Sequence, residues 1–226
     1  MLYTYTMLST YGRIHAKEKT LTVQKRRERY RSEVRAEILA AARDLIREES
    51  YEGLTLRKLA QRMEFSPMAL YSYFADKQAL LTALALQGFE KLAKRLDSKV
   101  GRRAPLAALR MVLLDYIAYA EDNPIEYRNV FLSVETLAEL KKTKQDFQEG
   151  DSAFRVLFRR VEECISAKVL QGDAFDISTV LWTGIHGAAT ILTTQQNFPF
   201  GSRRRYAEEV VATLLEGVQK HVIKRI

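Results

Sequence analysis

Cysteine is all but missing. A single residue, Cys164, stands among 226, which excludes an intramolecular disulfide and any cysteine cluster for a metal. Histidine is nearly as scarce. His15, His186 and His221 lie far apart, with no His-Glu metal spacing and no glycine loop built to cradle phosphates. An enzyme working from the C-terminal helices therefore has no nucleophile and base to point to. We expect no catalytic residues, no metal and no cofactor. Proline (4) and glycine (10) are also few, and strand-like alternation is hard to find. With 47% apolar residues, the composition fits an all-α fold of about nine helices. No apolar run reaches membrane-spanning length, and no apolar core precedes a cleavage site near the N-terminus. The expectation is a soluble, cytoplasmic protein with no membrane partner.

Charge of one sign is lacking over most of the chain. The formal net charge is +8, yet residues 36–100 and 101–226 each carry only +1. Residues 1–35 hold nine Lys or Arg against three Glu. Lys25, Arg26, Arg27, Arg29 and Arg31 cluster at the end of this leader. A basic arm favours a polyanion, and a disordered leader that merely aids solubility is the alternative. Residues 1–31 are expected to be a basic, flexible arm. The next helix is expected over Ser32–Glu49, with Ser32 as its cap and Ile38, Leu39, Ala42, Leu45 and Ile46 as its inward stripe.

What the chain has in concentrated form is the stretch TLRKLAQRMEFSPMALYSYFADK, from Thr55 to Lys77. A first helical pattern, Thr55–Met63, puts Leu56, Leu59, Ala60 and Met63 on one face. A second, Pro67–Phe74, turns Leu70 and Phe74 inward. Only Glu64-Phe65-Ser66 separates them, which fits a helix-turn-helix corner. Ser66 suits the N-cap and Pro67 the first helical position. Pro67, Met68, Ala69, Tyr71 and Tyr73 are left facing outward, the profile of a helix that lies in a major groove. Asp76 caps the helix that follows. Lys77 in its first turn opposes the helix dipole by ~0.3–1 kcal/mol, a position better explained if the ammonium meets a phosphate.

Thr-x-Arg-x-Leu-Ala, followed by Ser-x-x-x-Leu-Tyr-x-Tyr-Phe-x-x-Lys-x-x-Leu-Leu, resembles the DNA-binding domain of the TetR family of transcriptional regulators. The likeness runs from Val34 to Leu81. Where that turn often carries Gly, this chain has Glu64, so a left-handed backbone there would cost about 1 kcal/mol or more. The resemblance implies DNA contacts from Thr55, Arg57, Ser66, Pro67, Met68, Ala69, Tyr71, Tyr73 and Lys77. Arg57 and Lys77 would hold phosphates, and the residues from Pro67 to Tyr73 would meet base edges. Partial burial of Tyr71, and plain solvated charge at Arg57 and Lys77, are the competing readings. The domains expected are residues 32–100, with this DNA-binding unit and a connecting helix, and residues 101–226, divided at Gly101–Pro105.

Later helices are expected over 106–122, 124–132, 134–144, 151–170, 173–196 and 202–224, with a joint at 148–150. Trp182-x-x-x-His186-Gly187 is similar to the WHG-type C-terminal domain of TetR-family regulators. Gly184 and Gly187 in one helix cost roughly 1 kcal/mol each relative to Ala, which points to close approach of another helix. The family likeness implies a homodimer through 173–196 and 202–224, double-stranded DNA with two symmetric half-sites as partner, and a small-molecule effector. Tyr116, Tyr119, Tyr127, Phe131, Phe154, Phe158, Trp182 and His186 are candidates to line an effector site suited to an amphipathic or aromatic ligand. Aromatics at helical spacing are also ordinary core. The leading function is a ligand-released repressor; the alternative is an effector-independent activator or architectural factor.

Overall fold

A computed structural model describes residues 2–98, 101, 103–131, 153–195 and 197–222, with side chains from Val23 onward except at 129 and 130. Nine helices and no strand run through the described residues: α1 Leu2–Gly53, α2 Leu56–Arg62, α3 Pro67–Tyr71, α4 Lys77–Ser98, α5 Pro105–Asp122, α6 Pro124–Phe131, α7 Ala153–Ser166, α8 Ala174–Thr194 and α9 Arg203–Lys220. The helix expected over 134–144 and the joint at 148–150 lie outside the described residues. None of the helices is long and apolar enough to cross a membrane among the described residues.

The leader differs from expectation. It is helical from Leu2 and runs without interruption past Ser32, which is therefore not a cap. From Lys17 to Arg35 the chain has no Pro or Gly and is dense in Lys, Arg, Glu and Gln, all good helix formers. Arg29 and Glu33 add an i,i+4 ion pair at 3.5 Å. A lone serine among such residues does not stop a helix. The break comes at Ser50, whose φ of 72° is left-handed, just after the expected end at Glu49. Gly53 then lets the turn after this break lie close to Glu49, since a Cβ there would be 2.9 Å from Glu49 Cβ.

Tertiary packing divides the chain into residues 1–80 and residues 81–226. The division falls inside α4 rather than at Gly101, because from Leu81 onward the helix buries Ala85, Leu92 and Leu96 in the core of the second unit. In the first unit Ile38, Leu39, Ala42, Leu45 and Ile46 are buried as the stripe predicts, together with Leu54, Leu59, Leu70 and Phe74. Each fully buried Leu or Ile contributes ≈ 1.5–3 kcal/mol relative to exposure, so these contacts, more than helix propensity, hold the short α2 and α3.

The second unit is built on α8, which packs against α5, α7 and α9. Its helix starts are marked in sequence. Pro105 opens α5, Asp173 Oδ1 accepts from the backbone N–H groups of Phe175 and Asp176, and Ser202 Oγ accepts from that of Arg205. The two glycines of α8 have different surroundings. A Cβ on Gly184 would meet Leu214 Cδ2 at 2.6 Å, so α9 approaches there within the chain, whereas a Cβ on Gly187 would meet nothing within 4 Å.

Candidate functional site

The corner between α2 and α3 is closed at every terminus. Thr55 Oγ1 accepts from Lys58 N at 3.2 Å and caps α2. At the other end Phe65 N donates to Ala60 O (2.9 Å) and Glu64 N to Gln61 O (3.2 Å). That bond pair, with Glu64 at φ 56°, is the αL closure that glycine favours. Glu64 adopts it nonetheless, so the side chain departs from the usual residue while the turn keeps its shape. Ser66 Oγ accepts from Ala69 N at 3.1 Å, and Pro67 stands at the first helical position. Leu70 and Phe74 anchor the inner face, at 0% and 3% exposure.

What remains outside is unusual for a protein surface. Met68 is 79% exposed and Tyr71 51% exposed, and Pro67 is exposed beside them, while Ala69 and Tyr73 are half-buried. An open cleft of about 380 Å³ adjoins this face, lined by Leu54, Thr55, Leu56, Arg57, Tyr71, Asp76 and Lys77. It gathers Thr55, Arg57, Tyr71 and Lys77, four of the residues singled out in the sequence, where α2 and α4 begin. Two helix N-termini favour an anion. Asp76, which caps α4 by accepting from Ala79 N at 2.7 Å, sets a carboxylate at the same cleft.

The cations around α2 are not equivalent. Lys58 pairs with Glu49, and Arg62 with Glu48. Arg57 is exposed and makes no ion pair among the described residues. Lys77 has an internal partner that the sequence did not reveal: Nζ donates to Tyr51 O at 3.0 Å and lies 5.3 Å from the Tyr51 ring centroid. The ammonium thus answers the carbonyl end of α1, which explains its position without a phosphate. It also keeps further N–H donors, since an ammonium has three. Arg31, singled out in the sequence only as one of the leader's basic cluster, has an internal partner as well. Its Nη2 donates to Ser72 O at 2.7 Å, immediately after α3. The four-residue spacing of Arg27, Arg31 and Arg35 was the signal for it.

In the second unit, α5, α6 and α8 bring Tyr116, Tyr127 and His186 together. The two hydroxyls lie 3.0 and 2.7 Å from His186 Nδ1. Burial pushes the Tyr116 phenol well above its ordinary value, with Tyr127 adding to the shift, and burial likewise raises Tyr127. Both phenols stay protonated, so each hydroxyl can donate or accept, and Nδ1 accepts in one imidazole tautomer and donates in the other; Tyr127 Oη also donates to His186 O at 3.4 Å. Burial lowers the His186 pKa, which favours the neutral imidazole. Aromatic rings surround this centre: Trp182 at 5.5 Å and Phe131 at 5.9 Å from the imidazole, with Phe154 at 6.2 Å from Trp182. Six of the eight candidates therefore form one cluster. Tyr119 and Phe158 do not join it; they are buried against Arg95 and Arg155 respectively. Phe175 against Phe154 and Phe89 against Phe131 extend the cluster. The i, i+7, i+11 spacing of Phe175, Trp182 and His186 in α8 would have pointed to Phe175.

Comparison with known proteins bears on both units. Residues 38–84 match the family described as "Bacterial regulatory proteins, tetR family", and residues 109–214 match "Tetracyclin repressor-like, C-terminal domain". The chain belongs to the TetR family. The second match is coarser than the WHG type expected for that half. Among TetR-family relatives, the chain is 50% identical over 48 residues to the tetracycline repressor protein class A from transposon 1721 of Escherichia coli, covering 21% of this chain and 22% of that one. It is 29% identical over 97 residues to the HTH-type transcriptional regulator YobS of Bacillus subtilis, covering 43% and 51%. The chain thus spans about half the length of one of these relatives and about a fifth of the other. A TetR-family regulator from Pectobacterium atrosepticum superimposes with a TM-score of 0.68 over 86% of this chain and 98% of that one, at 19% identity. That likeness establishes the all-α fold.

Proposed function

We propose that the chain is a sequence-specific DNA-binding transcriptional regulator, acting as a homodimeric repressor that a small amphipathic or aromatic ligand releases from its operator. One observation carries the reading: α3 is capped, closed and anchored from within, yet leaves Met68 and Tyr71 in solvent. A monomer gains nothing from that exposure, whereas a duplex groove covers it. Arg57 at the adjoining cleft supplies a cation for the flanking backbone, and Lys77 a second once its bond to Tyr51 is shared. Relatives named as repressors, including AcnR of Corynebacterium diphtheriae at 38% identity over 60 residues, support repression over activation.

Support for a dimer comes from the uncharged outer stripe of α8, where Thr183, Gly187, Ile191 and Thr194 are exposed and Gly187 has nothing within 4 Å. Small residues of that kind let a second helix approach closely. The aromatic cluster around His186 supports an effector. A ligand releases DNA only if it binds the free and operator-bound forms unequally. The effector-independent alternative has one observation in its favour: both phenol hydroxyls already have a hydrogen-bond partner inside the chain.

The test is selection of bound fragments from random duplex DNA. We expect a sequence with two symmetric half-sites separated by about one helical turn or a multiple of it. Tyr71→Ala and Met68→Ala should then change which bases are preferred. A chain that stays monomeric and binds no duplex at low salt would overturn the proposal. Competition with a metabolite panel separates the two forms of it.

A further inference from the structure

We infer that Lys25–Arg35 of α1 is a second DNA-contacting element, a helical arm that grips the phosphate backbone flanking the half-site met by α3. The inference rests on the proposed function and extends it to residues outside the helix-turn-helix corner. Every residue from Val23 to Glu33 is exposed, so none of this part of α1 is buried in a core among the described residues. Its only apolar residues of any size are Val23 and Tyr30, 50% and 65% exposed. A helix with no apolar stripe has no face to offer a protein core or a lipid interior. What it offers is charge. From Val23 to Arg35 there are six Arg or Lys against two Glu.

The cations are also aimed. Arg27, Arg31 and Arg35 recur every four residues and share one face. Two of the three are fixed to the end of the recognition helix: Arg31 donates to Ser72 O and lies 5.6 Å from the Tyr73 ring, and Arg35 lies 4.8 Å from the Phe74 ring. Arg27 continues that face one turn further out, about 6 Å along the axis. Because α1 is continuous there, the extension holds a fixed direction relative to α3. Among the described residues, Arg29 has Glu33 as an ion-pair partner, while Lys25, Arg26 and Arg27 have none. A polyanion whose charges repeat beyond the groove is the partner that such a track fits, and duplex DNA carries one charge per ≈ 1.7 Å of axis. Contacts of this kind add affinity and salt dependence without reading bases.

The experiment uses the full chain and the duplex it selects. Lys25→Ala, Arg26→Ala and Arg27→Ala are combined, and affinity is measured from 50 to 200 mM salt. The slope of log affinity against log salt should fall by about 0.9 for each phosphate that no longer has a cation on it. With three phosphates freed, the variant would lose roughly forty-fold less affinity than the parent over that range. Base preference should not change. On a duplex trimmed to the half-sites, parent and variant should converge. Alanine is the strongest helix former, so the arm keeps its shape; a Gln triple variant repeats the measurement if helicity falls. An unaltered slope, or an altered base preference, overturns the inference while leaving the proposed function standing. A parent chain that binds no duplex removes the proposed function and this inference together.

Discussion

The two units break the rule of apolar inside and polar outside in opposite directions. The first turns Met68 and Tyr71 out to solvent on a helix of five residues. The second turns an imidazole and two phenol hydroxyls inward among aromatic rings. In the first, the exception is tolerated because every backbone terminus at the corner is satisfied locally, by Thr55, Ser66 and the bond pair around Glu64. In the second it is tolerated because the polar atoms satisfy one another. An exposed apolar face can be altered with little effect on stability, whereas an internal polar set fails when one member is removed.

That contrast is most exposed to test at His186. Its replacement by Ala takes Nδ1 away from both buried hydroxyls, of which Tyr127 keeps the His186 backbone carbonyl, at ≈ 1–3 kcal/mol for each group left unsatisfied. We expect a loss of about 3 kcal/mol in denaturant unfolding. Adding Tyr127→Phe to that variant should cost less than Tyr127→Phe alone, a coupling that a double-mutant cycle reads directly. Independent effects would mean that the three groups do not act as a set.

A pH series sharpens the same point. The folded-state pKa of His186 is depressed by burial below the ordinary value near 6.5. Below that value the unfolded chain binds more protons than the folded one, so stability rises with pH in this window. The thermal midpoint should fall as pH drops from about 6.5 toward the lower folded pKa, and His186→Gln should flatten that part of the profile. A parent profile no steeper than the variant's would show that the imidazole gains a proton as easily inside as outside.

The smallest effects belong to the first unit. Ser66→Ala removes the cap on Ala69 N and should lower stability by about 1 kcal/mol. Met68→Ala should leave stability within about 0.5 kcal/mol, because Met68 is 79% exposed. A larger loss at Met68 would mean that its surface is packed in the free protein, and the contrast between the units would fail.

Legibility in the sequence followed the range of the interactions. The α2–α3 corner could be read almost residue by residue, since caps, the proline at the first helical position and the inward pair Leu70 and Phe74 all act within a few positions. The start of α1 could not. Ser32 resembles a cap, but a cap needs a chain that has stopped being helical before it, and nothing from Lys17 to Arg35 stops it. Lys77 is explained by Tyr51, 26 positions away, a contact with no local pattern. Tyr119 and Phe158 have the same helical setting as their neighbours, yet they turn toward Arg95 and Arg155.

By itself the sequence determined the helices after α1, the caps Ser66, Asp76 and Ser202 and the inward pair of α3, because short-range sterics and period select these. Tertiary structure alone decided which titratable groups meet. It set His186 between Tyr116 and Tyr127, from 70 and 59 positions away. It also separated Gly184, pressed by Leu214, from Gly187, which has open space. Encounters of that kind depend on how helices pack against one another, and no spacing along the chain encodes them.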